Sequence, residues 1–215
     1  MARVGLVTER SVIFKGTLMP RPQSRSQEHL IDSIATAFRR SGYEGTSLAD
    51  LAATAGLAKA ALYHRFPGGK AEMAEAVEAV LGADFSARVI APLAASGPVA
   101  GRLRAMADGL MAFYGEGRHA CLVEIFSIAA TPEPVRQRLR EGVAKWIAAL
   151  TATLEQGGID AMEATRRAEE TVVRVQGALV VSRALGERRH FTDFIGRLPD
   201  QLLAPSTGPA PNPAS

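Results

Sequence analysis

Residues 46–70 constrain the fold more than any other part of this 215-residue chain. Ser47 and Asp50 form an S-x-x-D pair, in which a hydroxyl and a carboxylate satisfy free N–H groups at the start of a helix. Gly56 can adopt a left-handed backbone without steric cost, so one helix ends there and another begins at a sharp angle. The sequence therefore predicts a helix-turn-helix whose second helix spans residues 58–66.

The outward face of this second helix is predicted to be small and basic. The side chains on this face or just beyond it are Lys59, Ala60, Tyr63, His64, Arg65 and Lys70. Small residues let such a helix lie deep in a DNA major groove, while lysine, histidine and tyrosine donate hydrogen bonds to bases or phosphates. The alternative is an ordinary helical hairpin with a solvated basic face.

The run from Gly42 to Lys70 resembles the DNA-binding signature of the tetracycline-repressor-type (TetR) family of transcriptional regulators. The residues that stand at the family's spacing are Gly42, Thr46, Ala52, Gly56, Leu62, Tyr63, Phe66 and Lys70. The segment L-Y-H-R-F-P-G-G-K-A-E-M resembles a subgroup that includes multidrug- and flavonoid-responsive repressors. Three positions depart from the pattern: Ala58 replaces a capping serine, Ala60 a common glycine, and Arg65 a common histidine or tyrosine. The lost cap weakens the second helix by about 1 kcal/mol.

The resemblance implies a set of DNA contacts that reaches beyond the second helix. This set comprises Arg25, Thr46, Lys59, Ala60, Ala61, Tyr63, His64, Arg65 and Lys70. It also implies a homodimer that binds a palindromic double-stranded DNA operator and is released by a small, mostly apolar effector. Arg25 precedes the first helix in a short basic arm, for which a tail with incidental arginines is an equally good interpretation.

Helical periodicity runs through the rest of the chain, so the sequence predicts an all-α protein of about nine helices. Besides the first helix of the helix-turn-helix, helices are predicted at residues 27–40, 58–66, 70–90, 98–114, 121–130, 135–156, 161–185 and 191–203. The predicted organisation is a flexible extension and arm (1–24), a DNA-binding domain (25–70), an effector-binding and dimerisation domain (71–203) and a disordered tail (204–215). Residues 1–18 are expected to be either a flexible extension or an upstream start-site artefact.

Charge and composition limit the classes of protein that remain. Residues 1–70 carry a net charge of +5 and the remainder −2, which favours a polyanionic partner for the N-terminal part. No apolar run reaches the ~18 residues of a membrane span. The single cysteine, Cys121, cannot form an internal disulfide. Since no signal-peptide pattern stands at the N-terminus either, the protein is predicted to be cytoplasmic.

No constellation of residues predicts catalysis, a metal site or a cofactor. The four histidines are isolated and lack zinc-ligand spacing, and no G-x-S-x-G nucleophile elbow occurs. His119 and Cys121 stand two residues apart, which allows metal or thiol chemistry. A small buried thiol is the commoner situation.

Wide apolar side chains in the second domain, with a few polar ones among them, are typical of a small-molecule site. The candidate effector residues are Met106, Leu110, Phe113, Tyr114, Cys121, Phe126, Trp146, Arg174 and Gln176. Spacing alone favours a packed core whose polar groups pair with each other. The family resemblance reverses this preference, because such regulators carry an effector pocket here.

The last two helices are the predicted dimer interface. The segment 172–181 is apolar nearly all round, so it is expected to be buried on both sides. The predicted interface residues are Val173, Gly177, Ala178, Val181, Phe191 and Phe194. The rival hypothesis is a helical small-molecule-binding protein or enzyme with an incidental basic head. Salt-dependent binding to duplex DNA distinguishes the two.

Overall fold

The computed structural model describes residues 27–127 and 130–205. They form nine α-helices: α1 (Gln27–Gly45), α2 (Leu48–Ala55), α3 (Lys59–Arg65), α4 (Gly69–Phe85), α5 (Val99–Phe113), α6 (Leu122–Phe126), α7 (Glu133–Gln156), α8 (Ala161–Leu185) and α9 (Arg189–Leu203). These ranges contain no β-strand, and the all-α prediction is confirmed. None of their helices is both long and apolar enough to cross a membrane. The predicted extension and arm, including Arg25, and residues 206–215 of the predicted tail lie outside the described residues.

Helices α1, α2 and α3 form a three-helix head. The apolar face of α1, including Ile34 and Phe38, is fully buried and packs with Leu51 of α2 and Leu62 of α3. Gly42 interrupts the helical backbone of α1 with φ 69° and ψ 175°. The prediction that helical geometry breaks at this glycine is confirmed.

Helix α4 connects the head to the body, which consists of α5–α9. The predicted helix over residues 70–90 is wrong in its last five residues, because α4 gives way to a π-helical turn at Ser86–Ile90, which a 3-10 turn at Ala91–Ala94 follows. Pro92 cannot continue a regular helix, since it lacks an N–H. In addition, α5 packs so tightly on the π turn that a Cβ built on Gly109 would lie 2.0 Å from the Arg88 carbonyl oxygen.

Helices α8 and α9 form a hairpin whose two ends are fixed by side chains of α8. Near its start, α9 donates the Phe191 N–H to Ser182 Oγ at 2.9 Å. Near its end, the buried Arg167 donates from Nη1 to the carbonyl oxygens of Leu202 at 2.6 Å and Ala204 at 2.8 Å. These bonds satisfy carbonyls at the end of α9 that have no partner within the helix.

Helix α6 is shorter than the predicted 121–130 segment and lies where the head meets the body. Its last residue, Phe126, is fully buried. The Phe126 ring contacts Phe38 edge-on at 5.4 Å between centroids and Tyr43 at 6.3 Å. An aromatic cluster of these three side chains therefore joins the body to α1.

Candidate functional site

The helix-turn-helix is built from short-range hydrogen bonds. The Asp50 N–H donates to Ser47 Oγ at 3.2 Å, and the Ser47 N–H donates to Asp50 Oδ2 at 3.0 Å, as the S-x-x-D pattern predicted. The Ser47 hydroxyl also donates to Asp50 Oδ2 at 2.6 Å. This bond, and then the one from the Ser47 N–H, lower the pKa of the Asp50 carboxyl. At the other end of α2, Gly56 has a left-handed backbone with φ 62°. Helix α3 follows without a side-chain cap, since its N-cap residue is Ala58.

One face of α3 is buried and the opposite face is open to solvent. Leu62 and Phe66 are buried in the head. The exposed residues are Lys59, Ala60, Ala61, Tyr63, His64 and Arg65. All six belong to the predicted DNA-contact set, and the structure brings them together on one surface, which we call the α3 face. It is cationic at Lys59 and Arg65 and carries no acidic residue.

Two other members of the predicted set, Thr46 and Lys70, bind backbone carbonyls inside the head. The fully buried Thr46 donates from Oγ1 to the Gly42 carbonyl at 2.6 Å. Lys70 Nζ donates to the carbonyls of Tyr43 at 3.0 Å and Thr46 at 3.1 Å, and lies 4.5 Å from the Tyr43 ring centroid. Their polar groups thus hold the end of α1 to the start of α4 rather than project from the α3 face.

A cavity of about 250 Å³ lies in the body between α4, α5, α6, α7 and α8. This volume is just below the roughly 300–1,000 Å³ of common ligand pockets. Aromatic rings form part of its wall: Phe85 packs edge-on against Phe113 at 5.1 Å and against Trp146 at 5.2 Å. Five of the predicted effector residues line it, namely Phe113, Tyr114, Cys121, Trp146 and Gln176.

Three polar groups of the cavity wall, those of Tyr114, Cys121 and Trp146, are buried. The Tyr114 hydroxyl lies 3.3 Å from Cys121 Sγ. Burial raises the pKa of Tyr114, with a smaller contribution from Cys121, so the phenol stays neutral. The buried indole N–H of Trp146 has no hydrogen-bond partner among the described residues. The buried Glu78 of α4 forms an ion pair with the part-exposed Arg138 of α7.

Four of the predicted effector residues lie elsewhere. Met106 and Leu110 are fully buried in the core of the body and do not line the cavity. Phe126 contacts the head. Arg174 is half exposed on α8, with its guanidinium 4.8 Å from the Phe194 ring centroid. Helical periodicity predicted that the apolar side chains of Met106, Leu110 and Phe126 face inward, and Arg174 stood out as a polar residue in an apolar segment. Periodicity cannot show whether an inward-facing side chain packs in the core or lines a cavity.

Sequence reasoning missed the contributions of α4 and the π turn to the cavity, and those of every α7 residue except Trp146. The missed wall residues with apolar side chains are Phe85, Ile90, Leu122, Val123, Leu139 and Val143, and the charged ones include Glu78, Arg138 and Lys145. The apolar spacing of α7 was visible in the sequence, yet it predicts only that this side faces inward. The contact that brings α4 beside α7 is long-range, so no local signal identifies it.

The outer side of α8 exposes an unusually apolar surface. Val173 is 70% exposed, and Val180, Val181 and Leu185 are 44–59% exposed. The expectation that segment 172–181 is buried on both sides is therefore wrong for the single chain. Of the predicted interface residues, Val173, Gly177 and Val181 are exposed and Ala178 is half-buried. Phe191 is fully buried within the chain and Phe194 is 9% exposed, so Phe191 belongs to the core rather than to an interface.

Within the described residues, no group of three or more His, Cys, Asp or Glu side chains is placed to hold a metal ion. The features that the described residues do show are a capped helix-turn-helix with an open second helix and a helical body that encloses a cavity. Together these define a helix-turn-helix protein whose head is joined to a helical body that contains a cavity.

Comparison with known proteins gives the family. The family model of "Bacterial regulatory proteins, tetR family" matches residues 30–77, and that of "Transcriptional regulator LmrA/YxaF-like, C-terminal domain" matches residues 100–195. The chain belongs to the TetR family of transcriptional regulators. It is 24% identical to the HTH-type transcriptional regulator LmrA of Bacillus subtilis (strain 168) over 191 residues, which cover 82% of this chain and 96% of that protein.

Solved structures show the same fold. A TetR transcriptional regulator from Legionella pneumophila superimposes with a TM-score of 0.71 at 20% identity, covering 83% of this chain and 97% of the other. A TetR-family regulator from Agrobacterium tumefaciens gives 0.70 at 23% identity, covering 82% and 97%. The resemblance implied by residues 42–70 therefore extends to the body.

Proposed function

We propose that this TetR-family regulator is a repressor that binds a palindromic operator as a homodimer and is released by a small, mostly apolar effector. The observation that carries the proposal is the α3 face, an open, small and cationic surface on a helix that Leu62 and Phe66 anchor in the head. In this assignment residues 25–70 read DNA, and residues 71–203 bind the effector and dimerise. The proposal gives the chain no catalytic step and places it in the cytoplasm, with DNA.

The residues of the α3 face divide by the chemistry of their side chains. Ala60 and Ala61 let the helix approach the base edges, where Lys59 and His64 can donate hydrogen bonds. Tyr63, 45% exposed, and Arg65 suit phosphate oxygens. Thr46 and Lys70 contribute by fixing the head, since their polar groups are already bound to carbonyls.

The apolar side of α8 supports the homodimer. Exposed apolar patches on soluble proteins commonly mark interfaces with other molecules. The exposed residues of α8 recur at helical spacing, and Gly177 among them allows close approach of a second helix. A two-fold axis here would place the same surface of each copy against the other. We expect Val173→Asp to give monomers by light scattering, whereas Val80→Asp, a matched exposed valine on α4, leaves the dimer intact.

The cavity supports an effector with a ring system and one hydrogen-bond acceptor. Edge-on aromatic walls favour a flat apolar group. A buried N–H without a partner costs about 1–3 kcal/mol, so an acceptor that reaches the Trp146 indole N–H would add affinity. An effector in this position would contact α4, α6 and α7 at once.

Selection of bound sequences from random duplex DNA tests the proposal. We expect enrichment of an inverted repeat, with half-sites separated by about 10 base pairs or a multiple of the helical turn. The Lys59→Ala variant should relax the preference at one base of each half-site, costing ~1–3 kcal/mol there. Arg104→Ala, at an exposed cation of the body that lies outside the cavity wall, is the matched control and should select the same sequence as the wild type. Failure to enrich any sequence would contradict DNA reading by the head.

A further inference from the structure

Two contacts join α4 to α7 where these helices form one side of the cavity. The buried Glu78 of α4 forms an ion pair with Arg138 of α7. Further along both helices, the Phe85 ring packs edge-on against the Trp146 ring at 5.2 Å between centroids. Because Arg138 and Trp146 are eight residues apart, the two contacts are separated by about 12 Å along α7.

Between the two contacts, each helix carries a glycine that lines the cavity. These are Gly82 of α4, four residues after Glu78, and Gly142 of α7, four residues after Arg138. Gly82 leaves room for the ion pair, because a Cβ there would lie 3.0 Å from Glu78 Oε1. At Gly142, nothing in the described part of the chain except the backbone of α7 itself lies within 4 Å of the Cβ position. The space beside α7 is therefore open at this level.

The cavity wall reaches solvent beside these two glycines. Among the described wall residues, three are exposed, namely Ser86 at the start of the π turn and Glu141 and Lys145 of α7. All three are within four residues of Gly82 or Gly142 in the sequence. By contrast, the wall residues between 113 and 122 are all buried. The opening between the two contacts therefore leads from solvent into the cavity, and we call it the α4–α7 window.

The chemistry around the α4–α7 window favours uncharged molecules. The charged residues of the cavity wall are two carboxylates, Glu78 and Glu141, and two cations, Arg138 and Lys145, so the wall itself carries no net charge. A charged group that passes into a buried apolar cavity loses its water at a high cost. The aromatic pair at one end of the window suits a flat ring.

We propose that the α4–α7 window is the entrance to the cavity for flat, uncharged molecules, and that Gly142 is a specificity-determining residue that sets its width. This inference rests on the proposed function only in taking the cavity as the effector site. A side chain at position 142 would project into the opening. It would exclude a ring system without altering the buried part of the cavity wall.

Cys121 and Trp146 report entry without knowledge of the effector, because both line the cavity and each is the only residue of its type in the chain. 4,4′-Dithiodipyridine is a flat, uncharged disulfide that reacts with the Cys121 thiol and releases 4-thiopyridone, whose absorbance gives the rate. Acrylamide, which is also uncharged, quenches Trp146 fluorescence by collision without a covalent step. Each rate is divided by that of the same variant unfolded in guanidinium chloride, which removes differences in intrinsic reactivity.

Gly142→Leu should slow the reaction of Cys121 at least about tenfold, which corresponds to about 1.4 kcal/mol in the barrier to entry. Gly142→Ala adds one methyl group and favours the helix, so it should fold well and slow the reaction by about twofold to threefold. Quenching of Trp146 by acrylamide should fall in the same order. Gly101→Leu is the matched control, because Gly101 is a helical glycine with open space at its Cβ position and lies outside the cavity wall. It should leave both measurements unchanged.

The rival route passes through a groove on the other side of α7, which shares Leu139 and Val143 with the cavity wall. Ala144 lines this groove but not the cavity, so Ala144→Leu narrows the groove alone. We expect Ala144→Leu to change neither measurement. If Ala144→Leu slows entry and Gly142→Leu does not, molecules enter through the groove and the α4–α7 window is not the entrance.

Reagents of similar size and different charge test the chemical class. Propyl methanethiosulfonate is uncharged, whereas its 2-aminoethyl and 2-carboxyethyl analogues carry one positive and one negative charge. After division by the rates for the unfolded protein, the propyl reagent should react with Cys121 at least about tenfold faster than either analogue, because only the analogues must lose the water around a charge. Equal rates, or a faster charged reagent, would contradict selection for uncharged molecules.

The remaining outcomes separate this inference from the proposed function. If Gly142→Ala and Gly142→Leu both melt cooperatively and admit the reagents like the wild type, the inference is wrong. If Cys121 of the native wild type reacts only as fast as the protein unfolds, no open entrance exists and the inference is wrong as well. If the Gly142 variants shut out the reagents, but a thiopyridyl group on Cys121 of the wild type leaves operator affinity unchanged, the entrance is confirmed and release by cavity occupancy is contradicted.

Discussion

Gly42 in the head and Gly109 in the body are both required to be glycine, for opposite reasons. Gly42 has open space around the position of a Cβ, but its backbone, at φ 69° and ψ 175°, lies in a region that only glycine adopts readily. Gly109 lies inside α5 without a positive φ, yet a Cβ there would overlap the Arg88 carbonyl oxygen at 2.0 Å. The head is shaped by local backbone requirements, whereas the body is shaped by contacts between distant segments.

The candidate functional residues of the two regions show the same difference. The α3 face is drawn from residues 59–65, all within one helix. The cavity wall combines side chains of α4, the π turn and α5–α8. The effect of a substitution in the head should therefore be predictable from the neighbouring sequence. The effect of a substitution in the body should depend on contacts with residues far away in the sequence.

The largest predicted effect is that of Gly109→Ala. Because the overlap is with backbone atoms that cannot rotate away, we expect a loss of about 3 kcal/mol or more in the free energy of unfolding. Gly101→Ala, in the same helix with nothing near its Cβ position, should be neutral or stabilising by up to about 1 kcal/mol. Urea unfolding at one fixed protein concentration measures both. Similar results for the two variants would remove the packing explanation.

Arg167→Met should cost about 2–3 kcal/mol, because it leaves the buried Leu202 carbonyl and the part-buried Ala204 carbonyl at the end of α9 without their charged donor. Arg104, whose exposed pair with Asp200 spans 3.9 Å, provides the control: Arg104→Met should change stability by less than about 0.5 kcal/mol. Urea unfolding again reads out both. Equal costs would show that long-range hydrogen bonds matter no more in the body than surface pairs.

In the head, Gly42→Ala should cost about 1–2 kcal/mol through backbone strain alone. Gly45→Ala, where the added Cβ would meet only Ser41 Cβ at an ordinary 3.6 Å, should be nearly neutral. Thermal melting by circular dichroism detects the difference. If Gly42→Ala leaves the melting temperature unchanged, the backbone between α1 and α2 can adopt another conformation at residue 42. This result would contradict the claim that local backbone requirements shape the head.

The smallest predicted effect is a pH dependence in the body. Hydrogen bonds from Arg166, and then Arg167, lower the pKa of Glu163 to about 2 from its usual 4.5. Since the folded pKa is depressed, the stabilisation is present above pH 4.5 and is lost as pH falls toward 2. The difference in melting temperature between wild type and Glu163→Gln should therefore shrink over this interval. If the difference in melting temperature stays constant over this pH interval, ionisation of Glu163 beside Arg166 and Arg167 is not the cause of that difference.

The sequence predicted those features whose cause lies within a few residues. The Ser47–Asp50 cap, the glycine breaks at Gly42 and Gly56, and the bounds 161–185 of α8 are confirmed. Each depends on a side chain or backbone requirement next to the feature itself. The α3 face was also predictable, because one short helix supplies all of it.

Features that depend on distant contacts were missed or misplaced. The π turn after α4 packs against Gly109, more than 15 residues away, and nothing near Ser86 indicates it. Lys70 looked like a DNA contact because basic charge next to a helix-turn-helix suits phosphate, but the carbonyls that bind it come from residues 43 and 46. Phe126 looked like a cavity residue because apolar periodicity does not show what a side chain faces.

The central claim is that two copies of the head read DNA together through their α3 faces. The most direct measurement is an anisotropy titration of the selected operator duplex at several KCl concentrations, with stoichiometry determined at saturation. We predict two chains per duplex, a log–log salt slope steeper than about −3, and at least about tenfold weaker binding when one half-site is scrambled. One chain per duplex, or affinity indifferent to salt and to the second half-site, would contradict the claim.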